Sequence, residues 1–125
     1  MCFLIDPFAK PWTNRFVYKV VTPTRRSLQT GATQYKVGKV IKALPKSSQF
    51  LSDYRGITKQ GFYVCKTKKA ARDYVRNNWY GVPKPPHIII KLAVDPKDFL
   101  YAAFAGVNDG DYINSATYRK VTVVA

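Results

Sequence analysis

Short runs of hydrophobic and β-branched residues recur along the chain, and several of them alternate with polar positions. This period of two predicts strands over residues 15–21, 35–42, 61–65, 87–94 and 117–124. Residues 99–105 fit either a strand or a short helix, and residues 43–60 are predicted to be irregular. In the 87–94 run Ile88, Ile90 and Leu92 share one face. A buried Ile89 on the other face would indicate a central strand.

One segment has the period of an α-helix instead. Residues 67–79 place Ala70, Ala71, Tyr74 and Val75 on one face. Thr67 is a suitable N-cap because its hydroxyl can accept a hydrogen bond from a free N–H of the first turn. Gly81 and the proline two residues later predict where the helix ends.

These elements predict the α+β class, with a mostly antiparallel sheet of about five or six strands and one main helix over about 67–79. The length of 125 residues suits a single domain spanning 1–125. The hydrophobic content of 46% is enough for a buried core. No internal repeat or low-complexity tract divides the sequence.

The charge is strongly positive and unevenly distributed. Lys and Arg number 21 against 7 acids, all of them Asp, for a net charge of +14. Residues 7–91 hold 18 of the basic residues and only Asp53 and Asp73. Like charge at this density opposes compaction, so we expect an anionic partner, either nucleic acid or a phosphorylated nucleotide. Residues 92–125 are nearly neutral and are expected to serve sheet core or self-association, with Lys120 less important for anion binding than Arg72.

The order of short motifs resembles a group of small phage and bacterial proteins of unknown function. The resemblance rests on an N-terminal Cys, a Tyr-Lys-Val strand, a Tyr-x-Val-Gly strand, a Gly-aromatic strand running into a helix, an apolar strand and a late Tyr…Ser segment. Here these are Cys2, 18–20, 35–38, 61–63, 67–71, 88–94 and Tyr112…Ser115. Tyr63 stands where the group usually has His. The resemblance implies a phage accessory protein and does not imply a particular chemistry.

Cysteine usage and hydropathy predict a location in the cytoplasm, which for a viral protein is that of the host cell. Two cysteines are too few for a disulfide scaffold. No charged segment followed by an apolar one opens the sequence as in a signal peptide. The run at residues 88–90 is too short to span a bilayer, so no membrane contact is expected.

No catalytic constellation stands out, and the sequence is interpreted as that of a protein that is not an enzyme. Cys2, Cys65 and His87 lack the paired close spacing of zinc ligands, so neither a metal nor another cofactor is expected. An ADP-ribosyltransferase-like enzyme is an alternative on fold-level analogy. However, such enzymes commonly use a Glu, and this chain has none.

The basic residues on the predicted helix and in the preceding loops are the candidate site. The candidates for anion binding are Arg25, Arg26, Lys66, Lys68, Lys69, Arg72 and Arg76. Trp79 and Tyr80 are the candidates for base stacking. The favoured function is binding of nucleic acid or of a host complex that is acidic or contains nucleic acid.

Two other binding functions remain open at this point. One is an anti-defence sponge for a small phosphorylated nucleotide, and the other is a virion structural protein. A nucleotide sponge needs a deep basic pocket, whereas a nucleic-acid binder needs an extended basic surface. Neither the oligomeric state nor the choice between DNA and RNA follows from the sequence.

Overall fold

A computed structural model describes residues 3–6, 10–28, 33–42, 57–58, 62–79, 81–103 and 115–125. Within these ranges the chain forms one α-helix, one short 3-10 helix at Pro96–Asp98 and nine strands. The helix is α1 (Lys68–Asn78). The strands are β1 (Phe3–Asp6), β2 (Phe16–Val21), β3 (Val40–Lys42), β4 (Ile57–Thr58), β5 (Phe62–Cys65), β6 (Ile88–Ala93), β7 (Phe99–Ala103), β8 (Ser115–Tyr118) and β9 (Lys120–Val123).

The strands form one antiparallel sheet. Seven of them lie in the order β3-β9-β6-β2-β5-β8-β7, and the short strands β1 and β4 extend the β7 edge. The longest pairing joins β2 to β6 from Phe16↔Ala93 to Val21↔Ile88. The α+β class with one helix is therefore confirmed. The predicted count of five or six strands is wrong, because several strands are too short to be recognised from alternation.

The two faces of the sheet bury different clusters. On one face α1 packs across β2, β5 and β6, and this cluster includes Val20, Cys65 and Tyr74. The larger cluster on the other face draws side chains from β2, β5, β6, β7, β8 and β9. Aromatic rings reinforce this second cluster, since Phe99 and Tyr118 meet edge to face with centroids 5.6 Å apart.

Helix α1 closely follows its sequence pattern. Thr67 is the N-cap and its hydroxyl accepts a hydrogen bond from the Ala70 N–H at 3.0 Å. Ala71, Tyr74 and Val75 are buried against the sheet. The predicted bounds of 67–79 differ from the helix only by its two capping residues. Beyond the C-cap Trp79, Gly81 adopts a positive φ of 77°, a conformation that glycine adopts without strain.

The prediction for β6 is also confirmed. It lies between β9 and β2, with Ile90 and Leu92 in the larger cluster and Ile89 packed on the helix side. Residues 99–103 form a strand, which decides between the two structures that the sequence allowed.

Two predicted strands are wrong in part. Residues 36–39 form a turn in which Gly38 has a φ of 85°, so only Val40–Lys42 of the 35–42 segment is a strand. As a result Tyr35 is buried while Val37 is 62% exposed, although alternation placed them on the same face. The predicted final strand is divided at Arg119 into β8 and β9.

Candidate functional site

The outward side of α1 carries four exposed cations, which we call the α1 ridge: Lys68, Lys69, Arg72 and Arg76. Their spacing of three and four residues aligns them along one side of the helix. The opposite side is fixed against the sheet by Ala71, Tyr74 and Val75. The helix therefore has to present the α1 ridge to solvent. This arrangement is the one expected from the sequence.

Asp73 is the acidic neighbour of the α1 ridge. Its carboxylate lies 2.9 Å from the Lys69 ammonium and 3.0 Å from the Arg76 guanidinium. The hydrogen bond from Lys69, together with the charges of Lys69, Arg76 and Arg72, lowers the pKa of Asp73. One carboxylate beside four cations leaves an excess of three positive charges on this side of α1.

The α1 ridge continues towards Lys66 before the helix. The Lys66 ammonium lies 5.2 Å from the centre of the Trp12 ring, which is a cation–π distance. The side chain is partly buried, so it is less available to a ligand than the ridge itself. The four N–H groups of the first helical turn give this end of α1 a partial positive charge. The Thr67 hydroxyl accepts a hydrogen bond from one of them, the Ala70 N–H.

At the other end of α1, a shallow cleft of about 400 Å³ lies beside Trp79. Gly81 reverses the chain there, and the Val82 N–H donates to the Trp79 carbonyl oxygen at 3.2 Å. The cleft is lined by Arg76, Trp79, Gly81, Val82, Pro83 and Lys84. It combines an indole ring with two cationic side chains, which suits a planar group that carries a negative charge.

Arg25 is held by the protein itself. It has a φ of 64°, and its guanidinium donates to the carbonyl oxygens of Tyr35 at 2.8 Å and Ala125 at 2.9 Å. The Tyr35 N–H in turn donates to the Arg25 carbonyl oxygen at 2.7 Å. These bonds join Arg25 to residues that lie 10 and 100 positions further along the chain. Arg25 is therefore built into the fold, whereas the neighbouring Arg26 is exposed.

A partly buried lysine lies between two tyrosines on the sheet. The Lys19 ammonium donates to the Tyr63 carbonyl oxygen at 2.6 Å and lies 5.6 Å and 5.9 Å from the centres of the Tyr35 and Tyr63 rings. Desolvation lowers the pKa of Lys19 to about 8. Burial raises the pKa of Cys65 to about 11, so its thiol is protonated at neutral pH.

Tyr63 contacts residues of a neighbouring strand and of the helix. Its hydroxyl donates to the Ser115 hydroxyl at 2.8 Å, and its ring lies 5.4 Å from that of Tyr74. Tyr63 thus connects β5 to β8 and to α1.

The structure brings the four ridge cations together along one side of α1, with Lys66 at its start. Trp79 packs edge to face on Tyr74 of the buried side and lines the cleft at the C-terminal end of the helix. Arg25 and Arg26 lie on a separate turn after β2, and Tyr80 lies outside the described residues. Sequence reasoning missed two participants. Asp73 was recognisable from its spacing to Lys69 and Arg76. Lys84 was not, because it reaches the cleft only through the reversal at Gly81.

Among the described residues, no helix is long and apolar enough to cross a membrane. Comparisons with protein families, curated proteins and solved structures find no match to this chain.

Proposed function

We propose that this protein binds nucleic acid and that the α1 ridge contacts the phosphates. The observation that carries the proposal is the exposure of four cations on one side of a helix whose other side is fully packed. The resemblance to small phage and bacterial proteins implies an accessory protein of the host cytoplasm, and the α1 ridge is what directs the proposal to nucleic acid or to a host complex that contains it.

Fold stability gives no reason for the α1 ridge. Exposed ion pairs contribute about 0–1 kcal/mol each, and Asp73 is the acid that the structure pairs with ridge cations. Lys68 and Arg72 add repulsion to an already basic chain. A polyanion relieves that repulsion and releases its counterions, which gives nucleic-acid binding a large favourable term.

The extent of the α1 ridge favours a polymer over a single nucleotide. Lys68 and Arg76 are eight residues apart, which is about 12 Å along a helix. One strand of a duplex advances about 3.4 Å per phosphate, so the ridge faces several phosphates at once. The cleft beside Trp79 continues this surface at its C-terminal end.

A nucleotide sponge is the second candidate, and the cleft is the observation that favours it. A nucleotide with its base against Trp79 and its phosphate between Arg76 and Lys84 would contact the indole ring and both cations of the cleft. However, its lining residues other than Trp79 are exposed, as expected for a shallow contact and not for a deep pocket. A sponge would bind a mononucleotide as tightly as an oligonucleotide.

The test compares two double variants of equal charge. The ridge variant, Lys68→Gln with Arg72→Gln, removes two ridge cations. The control variant, Lys97→Gln with Arg119→Gln, removes two exposed cations from the nearly neutral residues 92–125. Fluorescence anisotropy with labelled DNA and RNA oligonucleotides gives the affinity between about 50 mM and about 200 mM salt.

We expect the wild-type affinity to fall steeply with salt. The ridge variant should lose at least about tenfold in affinity, and its slope of log affinity against log salt should be shallower by about 1.4–1.8. The control variant should stay close to wild type. Equal losses in both variants would place the contact elsewhere, and a salt-independent affinity or no binding would reject the proposal.

A further inference from the structure

Helix α1 covers only one half of the sheet face on which it lies. It packs over Val20 and Ile89, towards one end of the β2–β6 pair. At the other end, cross-strand pairs place Phe16 opposite Ala93, Ala93 opposite Thr122, and Thr122 opposite Val40. These four residues form a row across β2, β6, β9 and β3, which we call the open row.

The open row exposes large apolar side chains. Phe16 is 46% exposed and Val40 is 49% exposed. Val124, two residues after Thr122 and so on the same side of the sheet, is 39% exposed. Phe16 is the first residue of β2, and together with Val40 and Val124 it gives this face an exposed apolar surface of the kind that binding sites have.

Cations accompany this apolar surface. The Lys91 ammonium lies 4.3 Å from the centre of the Phe16 ring. Alternation along β6 and β3 puts Lys91 and the exposed Lys42 on the same face as the open row. Lys120, the cross-strand partner of Lys42, adds a third cation, and its ammonium lies 3.9 Å from the largely buried Asp98 carboxylate, so the net charge here is positive. The complementary ligand therefore combines flat apolar groups with negative charge, as a strand of unpaired nucleotides does.

We propose that the open row binds the bases of single-stranded nucleic acid, with one base stacked on Phe16. The proposal rests on the function proposed above and specifies its ligand. Lys91 and Lys42 contact the flanking phosphates, and the Lys91 ammonium moves from the Phe16 ring to a phosphate as the base arrives. A duplex keeps its bases stacked inside, so it contacts the α1 ridge but not Phe16.

The test uses variants that differ in the aromatic ring alone. Phe16→Leu keeps the apolar bulk and removes the flat π face, whereas Phe16→Tyr keeps the ring. Val37→Ala is a matched control, because Val37 is exposed but lies in the turn before β3. The probes are a labelled oligothymidine of about 12 nucleotides, a duplex of similar length, and an abasic strand with the same phosphates.

We expect Phe16→Leu to lower the affinity for the oligothymidine by about 5- to 150-fold, the range that removal of a ring stacked on one base produces. Its affinity for the duplex and the abasic strand should not change. Phe16→Tyr and Val37→Ala should bind all three probes as the wild type does. Thermal midpoints identify any variant that fails to fold. If Phe16→Leu does not fold, Lys91→Met takes its place. Its slope of log affinity against log salt for the single strand should be shallower by about 0.7.

Three results would overturn this inference while leaving the proposed function intact. They are normal binding of the oligothymidine by a folded Phe16→Leu variant, equal wild-type affinity for the oligothymidine and the abasic strand, and an unchanged salt slope in Lys91→Met. An acidic protein partner on this face would produce the first of them. Absence of salt-dependent binding to every probe would instead reject both proposals.

Discussion

The ammonium of Lys19 lies 2.6 Å from the carbonyl oxygen of Tyr63, which ties the centre of β2 to β5. These strands share the register pair Tyr18↔Cys65, so this contact adds to a short pairing. A charged amine held in this position has lost most of its hydration, which is why the pKa of Lys19 falls to about 8.

This contact predicts a pH dependence of stability. Above about pH 8 the folded chain loses the Lys19 proton, whereas the unfolded chain keeps it until about pH 10.5. Stability contributed by this group is therefore low near neutral pH and rises between those values. Denaturant unfolding of the wild type and Lys19→Met from about pH 7 to about pH 10 should show the wild type gaining relative to the variant. A constant difference between them would contradict the assignment.

Charge reversal at two sites should have opposite consequences. Arg72→Glu removes a ridge cation and should weaken binding of a duplex oligonucleotide, which does not engage the open row, by about tenfold or more at low salt, with little change in thermal midpoint. Lys120→Glu should leave binding closer to wild type but lower the midpoint. The reason is that Lys120 lies 3.9 Å from the largely buried Asp98 carboxylate. Fluorescence anisotropy and thermal melts on both variants measure these effects. A larger loss of affinity in Lys120→Glu than in Arg72→Glu would contradict phosphate binding by the α1 ridge.

The N-cap of α1 makes a measurable contribution to stability. Thr67→Ala removes the acceptor for the Ala70 N–H and should lower the free energy of unfolding by about 1 kcal/mol. Thr67→Ser keeps the hydroxyl and is the control, expected to lie close to wild type. Urea unfolding measures both variants. Equal stability of the Ala and Ser variants would show that the hydrogen bond adds nothing.

Trp79 should report directly on a ligand in the cleft. The chain has two tryptophans, so Trp12→Phe leaves Trp79 as the single indole fluorophore. Stacking of a base on that indole should quench its emission, and Lys84→Gln should weaken the interaction because it removes one of the two cations of the cleft. Titration with an oligonucleotide measures the quenching. If emission stays unchanged at saturating ligand, the base does not reach Trp79.

Local sequence patterns were sufficient for α1, β2 and β6. In each of them a single period extends over at least six residues, and tertiary packing agrees with it. The prediction failed at Gly38 and Arg119, where one residue changes the direction of an otherwise strand-like run. A glycine inside a strand-like run is compatible with a bulge or with a turn, and the residues around Gly38 do not distinguish the two.

The candidate site was predictable only in its local part. The α1 ridge follows from helical phase, so its four residues were found from the sequence. The open row was not, because Phe16, Ala93, Thr122 and Val40 come from four separate segments. Their meeting depends on strand order, which no local pattern contains. The two hydrogen bonds that hold Arg25 were not predictable either, since its carbonyl acceptors lie 10 and 100 residues further along the chain.

The position of β9 between β3 and β6 has a consequence for synthesis on the ribosome. Lys120–Val123 is the last strand in chain order, yet it joins β3 to the rest of the sheet. Until those residues leave the exit tunnel, β6 has one unpaired edge and β3 lacks its neighbour. Such strands are prone to pair with other chains. We therefore expect the nascent protein to fold late and as a unit, and to depend on chaperones until residue 123 has emerged.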